Sequence, residues 1–200
     1  MQVKTIEIEG LDGSGKTTSS TYVKDKLEQY GYKVLLTREV GSDHIPVCLQ
    51  LRELVLNPNI TMDGKAMEFI FAAMRIENQR FYESVKDQYD FVLSDRGWLS
   101  HLAYTDHNVS KEFTKEFYKN VVAKYTKAPD FVIYLEIDPM VAAKRRNVRG
   151  EVEDAIENKG VQFQEKVGDS FRTYLIEGSA KDEFDFYKID AEKDVPGVRE

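Results

Sequence analysis

The sequence predicts a three-layer α/β fold, a five-stranded parallel sheet with helices on both faces. Three observations predict it. Apolar, β-rich segments alternate with helical stripes along the chain, so each strand is reached from the last through a helix. The first strand and first helix are joined by a glycine-rich turn of fixed spacing. The 200 residues, 42% of them apolar, suffice for one core, and no repeat, low-complexity tract or linker divides them.

Val3–Glu9 is β-rich and forms the first strand. Glu7 lies inside it, where a central strand is buried on both faces, so its carboxylate needs a basic or hydrogen-bonding partner or an open edge of the core. Thr17–Tyr30 carries Tyr22, Val23, Leu27 and Tyr30 as a helical stripe, ended by Gly31. Lys33–Thr37 is a short strand, and Val47–Leu56 a helix that stops before Asn57-Pro58-Asn59. Met62–Lys86 reads as one long helix, with Met67, Phe71, Met74, Phe81 and Val85 at near-helical spacing. Phe91–Ser94 is an apolar strand ending at Asp95. Helices follow over Leu99–Thr105 and Lys111–Lys124. Ala128-Pro129-Asp130 breaks the pattern before the strand Phe131–Ile137, and Pro139 opens the next helix, where its missing N–H costs nothing. Glu165–Leu175 is helical, Tyr187–Asp190 is the last strand, and the final ten residues are polar and expected to fray.

The turn between the first strand and helix reads Gly10-Leu11-Asp12-Gly13-Ser14-Gly15-Lys16-Thr17-Thr18, the spacing of a phosphate-binding loop (P-loop). Its glycines allow positive φ, so successive N–H groups can turn inward on one anion. Lys16 would reach the β- and γ-phosphates of a nucleoside triphosphate, and the Thr17 hydroxyl would hold Mg²⁺. A helix starting near Lys16 adds its positive end. Ligands of such sheets bind beyond the carboxyl ends of the strands, which gathers Asp12, Arg38, Asp95 with Arg96, Asp138 and Asp190. Asp95 stands where a second metal-supporting acid belongs, and the Arg96 fork suits bidentate capture of phosphate. Phosphoryl transfer to an acceptor that is already anionic needs no general base. His44, His101 and His107 form no base constellation.

The net charge of −7 argues against general affinity for nucleic acid or anionic lipid. Against it, Lys144, Arg145, Arg146 and Arg149 concentrate four cations within six residues, which suits a polyphosphate. No apolar run is long enough to span a bilayer, no signal-peptide pattern is present, and the lone Cys48 rules out an internal disulfide framework. These features point to a cytoplasmic protein.

Six ordered segments together resemble the thymidylate kinase family of P-loop nucleoside monophosphate kinases. They are EGLDGSGKTT (Glu9–Thr18), TREVG (Thr37–Gly41), FAAMR (Phe71–Arg75), DRGWLSHLAY (Asp95–Tyr104), PDFVIYLEIDPMVAAKR (Pro129–Arg145) and Ile189-Asp190-Ala191. The resemblance implies a three-layer P-loop NTPase fold in one domain, 1–200, with a lid at about 144–160. It implies transfer of the ATP γ-phosphate to dTMP or a related pyrimidine deoxynucleotide, and a homodimer with the Met62–Lys86 helix at its interface. By motif position, Asp12 bonds the acceptor 3′-hydroxyl, Phe71 stacks on the thymine and Arg75 donates to a base oxygen. Arg96 binds the acceptor 5′-phosphate, Tyr104 packs on the deoxyribose and Arg38 makes an acceptor-side contact. Ser100 and His101 line the same pocket. Some members carry an arginine within the phosphate loop. This chain has Gly13 there, so the cation falls to the lid, with Arg149 and Arg145 the candidates.

Four departures stand out. Val40 replaces the usual Pro and Gly97 the usual aromatic, which suggests a wider acceptor pocket that Trp98 partly fills. His101 replaces a small or amide residue, and the C-terminal helix after Ala191 is nearly absent. Two rival readings remain at this stage. A nucleotide-switch protein would need an Asn-Lys-x-Asp signature that Asn158-Lys159-Gly160 lacks. A deoxynucleoside kinase would need a carboxylate base, for which Glu39 is the candidate.

Overall fold

The computed structural model describes residues 3–149, 159–179 and 184–193. Five parallel strands form one sheet: β1 (Lys4–Gly10), β2 (Val34–Arg38), β3 (Phe91–Asp95), β4 (Phe131–Glu136) and β5 (Asp185–Asp190), in the order β2-β3-β1-β4-β5. Among the described residues, seven α-helices connect or flank them: α1 (Lys16–Gln29), α2 (Pro46–Leu56), α3 (Gly64–Val85), α4 (Trp98–Thr105), α5 (Lys111–Asn120), α6 (Pro139–Arg149) and α7 (Val161–Ser179). The predicted α/β architecture and strand count hold. The expected helix Lys111–Lys124 breaks at Asn120, and a separate 3₁₀ turn covers Val122–Lys124. The last helix starts earlier and ends later than its apolar stripe suggested. The expected frayed end falls largely outside the described residues.

Alternation within the strands places the site. Ile6 and Ile8 of β1 are buried in the main core with Leu93, while Glu7 and Glu9 alternate to the opposite face, the one that Val132 and Tyr134 share with them by register. Parallel register sets Ile8 beside Asp95 and Glu9 beside Tyr134, so the ends of β1 and β3 lie side by side. On the other face Leu35 and Val92 pack against Tyr82 and Val85 of α3. Local capping fixes helix starts: Asp63 accepts from Lys65 N at 2.9 Å, Ser110 from Phe113 N at 3.2 Å and Asp138 from Met140 N at 2.8 Å. Asp138 therefore serves as the cap of α6.

Candidate active site

Past Gly10 the chain turns through Gly13 and Gly15, with φ of 93° and 92°, a region side chains disfavour. A Cβ on Gly13 would overlap the Ala142 carbonyl of α6. Glycine is thus a packing requirement here, which accounts for the absence of an in-loop arginine. Helix α1 begins at Lys16 with no acidic residue in its first turn, which leaves its positive end unopposed. Lys16 is buried and donates to Leu11 O at 2.8 Å. Burial and then the nearby Arg96 lower its ammonium to about 8.

Arg96 follows β3 in the left-handed region, φ 67°. This backbone turn sends its guanidinium across the end of β1, where it donates to Gly10 O at 3.2 Å and Ser100 Oγ at 3.0 Å and pairs with Asp12. Asp12 also lies 3.8 Å from Lys16 Nζ and accepts from the Tyr104 hydroxyl at 3.0 Å. Burial pushes the Asp12 carboxyl up, but Arg96 and Lys16 outweigh it and hold it at about 2. The Arg96 Cζ also sits 5.2 Å from the Tyr104 ring centroid. Next to Lys16 in the loop, the Thr17 hydroxyl donates to Asp95 Oδ2 at 2.6 Å.

A cleft of about 120 Å³ runs from Asp12 and Arg96, past Ser100 and Tyr104, to Phe71 and His101. Glu9, fully buried, accepts from the Ser100 amide at 2.9 Å and from its hydroxyl, and so fixes the start of α4 over β1. Glu68, fully buried in α3, holds His101 Nε2 at 2.9 Å and Thr105 Oγ1 at 2.7 Å. The His101 ring then meets Phe71 edge-on, centroids 6.0 Å apart. Arg75 is buried and pairs with Glu39 at 2.6 Å and with Glu7 at 4.0 Å.

The fold thus brings Asp12, Lys16, Thr17, Asp95, Arg96, Ser100 and Tyr104 together, with Phe71 and His101 at the other end of the cleft, while Arg75 lines a small adjoining recess, held by Glu39 and Glu7. Arg38 turns away and pairs with Asp43 at 2.5 Å. Arg145 donates to the carbonyls of Ala191, Glu192 and Lys193, beyond β5. Arg146 instead reaches the loop, donating to Asp12 O at 2.7 Å. The charge cluster signalled this segment, and spacing could have chosen the residue. Ala142, which packs on Gly13, and Arg146 stand four apart on one helical face. The Arg149 side chain and residues 150–158 of the lid expected at about 144–160 lie outside the described residues.

A family model described as thymidylate kinase matches residues 8–200. The chain belongs to the thymidylate kinase family. The thymidylate kinase of Mesoplasma florum is 34% identical over 179 residues, covering 86% of this chain and 81% of that protein. That of Mycoplasma capricolum is 32% identical over 200 residues, 96% and 89% of the two chains. That of Carboxydothermus hydrogenoformans is 31% identical over 201 residues, 94% and 96%. Against the thymidylate kinase pattern, the departure at Gly97 has a physical reason. The Glu7 carboxyl fills the space a side chain at 97 would need, since a Cβ there would overlap it. Glu7 accepts from Trp98 N at 2.9 Å and, with Arg75, has the partners its burial demanded. Burial raises its carboxyl well above the ordinary range, against the pull of Arg75. The pocket is therefore not widened at Gly97. Trp98 does not fill it either, because its ring packs in the core, 5.4 Å from Tyr118 and 5.2 Å from Phe184. No helix among the described residues is long and apolar enough to cross a membrane.

Proposed function

We propose that this chain transfers the γ-phosphate of ATP to the 5′-phosphate of dTMP, giving ADP and dTDP. The observation that carries the reading is the position of Arg96. Its guanidinium and the Lys16 ammonium flank one carboxylate, Asp12, so a donor phosphate drawn to Lys16 and an acceptor phosphate drawn to Arg96 meet end to end. Two polyanions repel, and their approach is the main barrier that positioned cations can lower.

In this reading the loop from Gly10 to Thr18 cradles the triphosphate, with Leu11, Ser14 and Gly15 supplying backbone around it. The pair Thr17 and Asp95, already 2.6 Å apart, offers hard oxygen donors that suit Mg²⁺ bound mainly by water and phosphate. The ion would supply charge compensation along the triphosphate. Arg96 releases part of its hold on Asp12 to take the acceptor phosphate, and Asp12, ionised at neutral pH, turns to the 3′-hydroxyl. Tyr104 packs on the deoxyribose, Phe71 on the base, and Arg75 donates to a base oxygen. The attacking oxygen is already anionic, so no proton is moved before transfer. Arg146, and Arg149 from the lid, add positive charge as water is excluded.

The deoxynucleoside kinase reading is weaker, because Glu39, its candidate base, is committed to Arg75 at 2.6 Å. We place the enzyme in the cytoplasm. We also read it as a homodimer along α3, where Phe69 is 59% exposed, and sedimentation at micromolar concentration tests the dimer. Turnover with Mg-ATP and a panel of dTMP, dUMP, dCMP and thymidine tests the activity. The expected result is ADP release with dTMP and none with thymidine; the reverse would overturn the reading.

A further inference from the structure

Beside Phe71 and His101 lies a recess of about 20 Å³, lined by Phe71, Arg75, Asn78, Gly97, Ser100 and His101. It shares Phe71, Ser100 and His101 with the acceptor cleft. Its volume suits one small polar group. Phe71, Arg75 and Asn78 stand at i, i+4 and i+7 of α3, so a single helical face presents all three. Asn78 is 1% exposed, yet neither its Oδ1 nor its Nδ2 has a hydrogen-bond partner among the described residues. Arg75 Nε is unpartnered there as well, while its terminal nitrogen is held by Glu39. A buried amide without bonds costs stability that an apolar side chain of the same size would not. Its presence at the wall of a recess that shares Phe71, Ser100 and His101 with the acceptor cleft therefore calls for a ligand.

We infer that Asn78 is a specificity-determining residue, its amide hydrogen-bonding the edge of the acceptor's pyrimidine ring beside Arg75. The inference rests on the acceptor reading above. The amide offers an acceptor and a donor side by side, which match the N3–H and the neighbouring exocyclic oxygen of a 4-oxo pyrimidine. By itself an amide can flip and serve either ring type. Arg75 removes that freedom: it only donates, and the Glu39 pair fixes its place. A 4-amino group meets a donor with a donor, so the site selects thymine- and uracil-type rings over cytosine-type ones.

The test compares the native enzyme with Asn78→Leu and Asn78→Ala. KM and kcat are measured for dTMP, dUMP and dCMP, KM for ATP, and Tm with and without dTMP. For Asn78→Leu the expected result is a Tm equal to or above native. KM for dTMP rises by about tenfold or more, while kcat and the KM for ATP stay within about twofold. The preference for dTMP over dCMP shrinks, and the Tm gain from dTMP falls while that from ATP remains. An unchanged KM for dTMP in both variants, with the native enzyme active, overturns the inference alone. So does a Tm loss of several degrees in both, which would assign Asn78 to the fold. A native enzyme that turns over no pyrimidine monophosphate removes the acceptor reading and this inference with it.

Discussion

Replacing Arg96 by Ala removes the group that ties the end of β3 to the phosphate loop. In the free protein Arg96 pairs with Asp12 and donates to Gly10 O and Ser100 Oγ. A hydrogen bond to a charged group contributes about 1.5–3 kcal/mol. The Asp12 and Arg96 side chains are 21% and 17% exposed, which moderates the loss, and Lys16 and Tyr104 remain to hold Asp12. Folding stability should fall by about 2 kcal/mol, a Tm shift of roughly 4–8 °C for a domain of this size. The effect on catalysis should be larger, because the guanidinium is aimed at charge that meets only in the transition state. Loss of such an arginine lowers kcat by about 10³–10⁵, or about 4–7 kcal/mol. Arg96→Lys keeps the charge and loses the fork, and should recover only a small part. Steady-state ADP release with dTMP, measured well below the Tm of each variant, separates the two effects. A kcat for Arg96→Ala within about threefold of native would refute the assignment. The acid limb of stability gives a second readout. Asp12 is held at about 2, against an ordinary 3.8, so its stabilisation is complete above pH 3.8 and is lost as pH falls towards 2. Without Arg96 the depression shrinks, and this acid-dependent loss should shrink with it.

Lys16 should be about half protonated near pH 8 in the free enzyme, because burial and Arg96 lower it to about 8. Nucleotide phosphates would restore its charge, so ATP binding at pH 8 should take up about half a proton, and calorimetry in buffers of different ionisation enthalpy reads this directly. No uptake would place the polyphosphate elsewhere. Gly97→Ala should cost about 1–3 kcal/mol through overlap with the Glu7 carboxyl, and most of that cost should vanish in the Glu7→Ala background. A thermal double-mutant cycle without coupling would dismiss the link. Arg146→Ala should raise the KM for ATP severalfold. Arg145→Ala, which frees the carbonyls beyond β5, should instead lower Tm with little kinetic change, and the opposite pattern would restore Arg145 to the site.

Local patterns made much of this legible beforehand. Glycine spacing located the phosphate loop, period-two and helical apolar patterns located the strands and helices, and residues trailing a buried strand located Asp95 and Arg96. What stayed hidden depends on register and on helix facing. Glu7 meets the Trp98 amide across 91 positions of sequence, through parallel pairing of β1 with β3 that no local spacing encodes. Gly97 therefore read as a wider pocket when it is the space Glu7 occupies. Arg145 and Arg146 are adjacent in sequence but about 100° apart around α6, so one faces β5 and the other the loop. Arg38 has Asp43 as a partner five residues on, a local pairing that outcompetes the cleft. Asn78 carries no motif at all, and only the lack of a partner in a buried amide marks it.

The central claim is that donor and acceptor phosphates meet at one point, between Lys16 and Arg96. A single molecule that joins adenosine and thymidine through their 5′-oxygens by a chain of phosphates tests it most directly. Inhibition should be competitive against both ATP and dTMP, with one molecule bound per chain and an affinity well above that of either nucleotide. Competition with ATP alone, leaving dTMP binding intact, would separate the two sites and contradict the account.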